Sequence, residues 1–149
     1  MHYVASMKNA VFGLGLVACA AALGGCAQKR VTECNALIVV INTGVQGLEK
    51  TPKTENDPTG VSDLKAMAER MDKVAVETAG VPVTLPEVKK FSSDYQKMAK
   101  DIAKAERELA AAAETRDAAK RTAAEQSLDA AVKQEDPLVD AINKFCQTQ

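Results

Sequence analysis

The residues best equipped for covalent chemistry in this 149-residue chain are four cysteines, at positions 19, 26, 34 and 146. A thiol can be acylated or oxidised to a disulfide, and its thiolate can bind metal or act as a nucleophile. No Cys-x-x-Cys pair is present and the single histidine is His2. Neither a low-pKa redox thiol nor a Cys–His nucleophile therefore has the partner it needs. Two metal-bearing bundle types drop out for the same reason: a di-iron bundle requires Glu-x-x-His, and a haem bundle of the usual kind requires axial imidazole. Glu106, Glu108, Glu114 and Asp117 alternate with Arg107 and Arg116. That is the pattern of a solvated helix face, not of carboxylates paired in an apolar site. Neither a Walker loop nor a Gly-x-Ser-x-Gly elbow occurs, and Gly13-x-Gly15-x-x-Ala18, which imitates a dinucleotide fingerprint, lacks a preceding strand and a surrounding βαβ pattern. The 19 Lys and Arg are interspersed with 20 Asp and Glu, which leaves no basic field to capture nucleic acid. The expectation is a protein that is not an enzyme, carries no cofactor or metal, and binds no nucleic acid.

The amino-terminal region reads as an address. Ala10 to Gly25 is an unbroken uncharged run of apolar and small residues, with Lys8 before it and Ala27-Gln28-Lys29-Arg30 after it. The run falls short of the roughly 20 residues a permanent span needs and has the order of a cleaved secretory signal. It ends in Leu23-Gly24-Gly25-Cys26, which resembles the lipobox of bacterial lipoproteins: an aliphatic residue, two small residues, then the cysteine that receives diacylglycerol. The resemblance covers this segment alone. It implies cleavage after Gly25, lipidation of Cys26 and attachment to a membrane through that lipid; Ala27 in place of aspartate at the next position implies the outer membrane. Leu16-Val17-Ala18-Cys19 fits the pattern loosely, but cleavage there would leave the greasy stretch Ala20 to Gly25 exposed. A true start at Met7 would put the charge of Lys8 directly at the amino terminus. An ordinary signal with a chance cysteine is the other reading. The expected organisation is a signal over 1–25, a lipidated tether over 26–31 and one helical domain over 32–149. With Cys26 acylated, Cys34 and Cys146 remain to bond each other in the oxidising compartment that export implies. Two buried free thiols are the alternative.

Helical periodicity runs through the rest. Cys34, Leu37, Ile38, Ile41, Val45 and Leu48 form one stripe, predicting a helix from Thr32 to about Glu49. Asn42, Thr43, Gly44 and Gly47 weaken it: they bend it, admit another helix closely, or answer local packing. Thr51 to Gly60 is a polar loop with two prolines. Ser62 is the expected N-cap of a second helix with the stripe Leu64, Met67, Met71, Val74 and Thr78, ended by Gly80. Met67, Met71 and Met98 are expected in the core, the other reading being an adaptable apolar groove. Gly80 to Pro86 cannot be regular helix. A third helix follows, with Thr84 and Glu87 as a capping box, Pro86 in the first turn and a Val83–Val88 staple. Its stripe is Phe91, Tyr95, Met98, Ile102, Ala105 and Leu109.

From Ala110 to Ala131 the chain is alanine with charges, strong in helix propensity and poor in bulk. The stripe running forward from Phe91 and the one running back from Phe145, Ile142, Val139, Val132 and Leu128 do not meet in phase, which predicts a turn near Thr115 to Asp117. One uninterrupted helix is the alternative. Pro137 should kink or restart the last helix while the stripe keeps phase. The expected fold is an all-α, antiparallel up-down-up-down four-helix bundle. Its first pair is short, its second pair is long and alanine-rich, and Cys34 meets Cys146 at one end. Two function classes follow: a lipid-anchored structural or interaction protein with an envelope protein partner, or a carrier or chaperone for an apolar ligand. The narrow buried stripes favour the first.

Overall fold

Apolar side chains recurring every three or four positions bury one face of each helix. In the computed structural model, which describes residues 24–49, 54, 57 and 59–147, these faces converge on one core. The helices are α1 (Gly24–Glu49), α2 (Val61–Ala79), α3 (Pro86–Thr115), α4 (Ala118–Val132) and α5 (Glu135–Gln147), with no strand among the described residues. Helix α2 packs between α1 and α3, α4 lies on α3, and α5 closes onto both α3 and α1. Lys65 pairs with Glu114, and the Ser92 hydroxyl donates to the Thr78 carbonyl, so α2 and α3 run antiparallel. With α4 and α5 as two halves of the fourth arm, the all-α up-down-up-down bundle is what the chain forms.

Helix α1 begins at Gly24, eight residues before Thr32, so the stretch 26–31 continues the helix and any tether there is a helical one. The first pair is therefore less short than expected. Cys34, Leu37 and Ile41 are buried on its stripe, and the suspect glycines interrupt nothing. At Gly44 the reason for glycine is a close approach: a Cβ there would stand 2.7 Å from Val74 Cγ2 on α2. Gly44→Ala should gain about 1 kcal/mol of helix propensity yet lose about 1–3 kcal/mol to overpacking. A net destabilisation in chemical denaturation is expected, and it should vanish when the same change is made on a Val74→Ala background.

Helix α2 corrects one expected cap. Gly60, at φ 69°, holds the N-cap position without a side-chain bond, and Ser62 lies inside the first turn. Asp57 supplies the acceptor instead, taking the amides of Thr59, Gly60 and Ser62 and the Thr59 hydroxyl. These bonds, the Thr59 hydroxyl foremost, lower the Asp57 pKa to about 2. The carboxylate reaches forward from the loop, a longer range than the Ncap rule covers. Met71 is buried in the core and Met67 is half-buried.

Helix α3 carries the longest stripe, with Tyr95, Met98, Ile102, Ala105 and Leu109 buried and Phe91 half-buried against the core. The expected turn is present. Arg116 adopts the left-handed conformation at φ 53°, its amide returns to Ala113 O, and the Asp117 carboxylate caps α4 by accepting from the Lys120 amide. The second break falls at Lys133 and Gln134, and Pro137 stands in the first turn of α5, where its missing N–H costs little. This break shifts the phase that was expected to persist: Ala124 and Ala131 are buried, Leu128 is half-buried, and Val132 turns outward.

Candidate functional site

The predicted staple is formed. Cys34 and Cys146 are disulfide-bonded with Cα atoms 5.8 Å apart, tying the front half of α1 to the last turn of α5 across a separation of 112 positions. The aromatic residues gather at the same end. Phe91 and Phe145 meet edge to face with centroids 5.6 Å apart, and the Arg30 guanidinium carbon lies 5.8 Å from the Phe145 ring centroid. Cys26, the expected lipidation site, is in the first turns of α1, eight residues before Cys34, or about 12 Å along the helix. Its side chain and residues 1–23 of the expected signal, Cys19 among them, lie outside the described residues.

Glu33, beside Cys34, performs a role the sequence reading missed. Its carboxylate accepts from the Thr84 amide at 2.8 Å, the Thr84 hydroxyl at 2.6 Å and the Leu85 amide at 2.9 Å. The expected capping box therefore does not form. Leu85 is the N-cap of α3 with no side-chain bond of its own, Pro86 begins the helix, and a carboxylate from α1 takes the Thr84 amide meant for Glu87 together with the Thr84 hydroxyl. Val88 is fully buried and Val83 packs half-buried against the core, one position out of the expected staple register. Burial pushes the Glu33 pKa up. The Thr84 hydroxyl, the Leu85 and Thr84 amides and the Lys29 charge together outweigh it and hold the pKa below its ordinary value. The signal was present: Glu33 stands four residues before Leu37, at the edge of the apolar stripe, where an acid needs donors.

No family model matches the chain, and no characterised protein or solved structure matches it. Function must therefore be argued from the surfaces themselves. The acids expected on a solvated face divide: Glu108, Glu114 and both arginines are exposed, whereas Glu106 is only 7% exposed. It stands one turn after Ile102 and one before Leu109 and Ala110, on the buried stripe itself. Glu106 Oε2 has no hydrogen-bond partner. Burial raises its pKa to about 7 against the lowering charge of Arg107, which is engaged with Asp72 on α2. Among the described residues no group of three or more His, Cys, Asp and Glu could hold a metal, and no helix is long and apolar enough to cross a membrane.

Two further surfaces stand out. A shallow groove of about 480 Å³ runs between α1 and the end of α2, lined by Ala36, Val40, Thr43, Val81 and Pro82 among others. The opposite feature is the α3–α4 hairpin. Thirty residues of α3 span about 45 Å, which sets its tip, at Arg116, far from the disulfide end.

Proposed function

We propose that this chain is a lipid-anchored cell-envelope protein with a structural or protein-interaction role. In this reading the segment 1–25 is removed as a signal, Cys26 takes the lipid, and the bundle stands off the membrane, in the periplasm or at the surface of the outer membrane. The observation that carries it is the cysteine arithmetic. Cys34 and Cys146 are bonded to each other. Cys26 is then left at the end of the lipobox-like Leu23-Gly24-Gly25, and Cys19 lies inside the apolar run. A disulfide closing most of the domain also suits an exported protein better than a cytosolic one. The α3–α4 hairpin would present its charged, alanine-rich tip to an envelope protein at a distance from the anchored end.

The α1–α2 groove favours a second reading, a carrier for an apolar ligand, because the apolar Val40, Val81 and Pro82 line it. The two readings separate in binding assays. A fluorescent lipid probe binding at micromolar affinity supports the carrier; a photocrosslinker at Arg116 that joins one dominant envelope protein supports the interaction role. The anchor has its own test, expressing the chain in a bacterial host with labelled palmitate. Wild type should incorporate label and fractionate with membranes, while Cys26→Ala should take up none and persist as the longer precursor. Full processing of Cys26→Ala to the same unlabelled size would refute the anchor.

A further inference from the structure

Helix α1 lacks the charged coat of its neighbours. Helices α2, α3 and α4 cover their outer faces with ion pairs such as Lys73–Glu77, Lys97–Asp101 and Arg121–Glu125. Along α1 the stretch from Val31 to Leu48 holds one charged residue, Glu33, and that carboxylate is turned inward onto Thr84 and Leu85. The face left to solvent is Thr32, Asn35, Val39, Asn42 and Gln46, all exposed and spaced by alternating steps of three and four. That is the spacing of a helix-pairing seam. Val39 is 62% exposed at its centre. Depletion of charge is also what sets the centre of a protein interface apart from ordinary surface.

Ridge and hole lie side by side on this face. The α1–α2 groove takes Ala36, Val40 and Thr43 from α1 and Val81 and Pro82 from just beyond α2. Val39 stands on the row next to it, three residues after Ala36 and four before Thr43, and is therefore level with the middle of the groove. A surface that carries a knob and, beside it at the same height, a hole is complementary to its own two-fold copy, because the Val39 of each enters the groove of the other. The polar residues suit self-pairing too. Two uncharged faces bring no like charges together, and the amides of Asn35, Asn42 and Gln46 each donate and accept. Glu77, which lines the groove, is exposed and already paired with Lys73.

We infer that this face pairs in parallel with α1 of a second copy of the chain, about a two-fold axis that passes beside Thr43. The parallel sense rests on the anchor proposed above. The described chain begins at Gly24, so a lipid on Cys26 sets every α1 in the same direction and at the same height, which brings Val39 of one copy level with the groove of the other. From Thr32 to Gln46 the seam is about 21 Å long, too short for the roughly 800 Å² per partner of a standard interface. The pair is therefore weak between free chains and forms where two anchors hold the copies at high effective concentration.

Cysteine cross-linking of the full chain in bacterial membranes, alongside palmitate labelling, tests the pair. Thr43→Cys, next to the axis, should give an oxidation-dependent species of twice the chain mass, whereas Lys100→Cys, exposed on α3, should not. Adding Val39→Asp should cut the Thr43→Cys cross-link at least about tenfold, since each carboxylate would be buried without a partner; the compact unreduced band given by the Cys34–Cys146 bond reports that the fold persists. Equal cross-linking at positions 43 and 100, no cross-link at 43 in chains that carry the label, or an adduct to a protein of another mass would overturn the pairing. Chains without label refute the anchor alone. The seam is then judged on purified protein at about millimolar concentration, where Thr43→Cys must still give the dimer and Lys100→Cys must not.

Discussion

Replacing Cys34 with serine is expected to lower the unfolding free energy by up to about 5 kcal/mol, the chain-entropy value for a loop of this length. The bond joins positions 112 apart, so the unreduced protein should also migrate faster on a denaturing gel than the reduced one, and Cys34→Ser should abolish that shift. The loss concentrates at one end of the molecule. Without the bond the front of α1 is held by Leu37 and Ile41 in the core, by the Glu33 bonds to Thr84 and Leu85, and by the aromatic contact of Arg30 with Phe145. Helices in proteins owe most of their stability to tertiary packing, so exchange protection should fall most in α1 and α5. Since small domains keep about 5–15 kcal/mol in total, the variant should fold at room temperature with a transition lower by roughly 15 °C. Unchanged stability with two titratable thiols would place the termini apart.

Tyr95→Ala should cost a comparable 3–5 kcal/mol. Tyr95 is 2% exposed and the largest fully buried side chain, set in the core with Leu37, Met98, Ala99 and Ile142. Its neighbours are too often alanine to collapse into the cavity it would leave. Desolvation, with the nearby Glu135 charge second, raises the phenol well above its ordinary pKa, so the hydroxyl stays neutral throughout the working range. The ring and not the hydroxyl should thus carry the stability, and Tyr95→Phe should cost no more than about 1 kcal/mol in the same denaturation series. A Phe variant as unstable as the Ala variant would mean the hydroxyl holds a bond the packing account does not include.

Periodicity made the helices legible wherever large apolar side chains marked a face. The stripe from Tyr95 to Leu109 needed no correction, and the phase conflict beyond it located the turn at Thr115 to Asp117 although neither glycine nor proline stands there. Local rules did less well where a distant side chain competed. Thr84 and Glu87 form a sound capping box in isolation, yet Glu33, 51 positions earlier in the chain, takes the Thr84 amide and hydroxyl because the disulfide end brings α1 onto the start of α3. Ser62 lost its cap to a nearer competitor, Asp57, five residues before it in the loop. Glu106 was hidden by composition: in a run of alternating charges it looks solvated, and only its register with Ile102 and Leu109 places it inside. In α4 the stripe followed back through Val132 and Leu128 had only alanine beside it to check its phase, so the outward turn of Val132 was missed.

The central claim joins an anchored Cys26 to a bundle closed by Cys34 and Cys146, and intact-mass spectrometry of the membrane-extracted protein, before and after reduction, tests both together. The account predicts a chain beginning at Cys26, heavier than its sequence by a diacylglyceryl group and any further acyl chain, which gains two hydrogens on reduction. An unmodified chain beginning elsewhere, or a mass that reduction leaves unchanged, would contradict it.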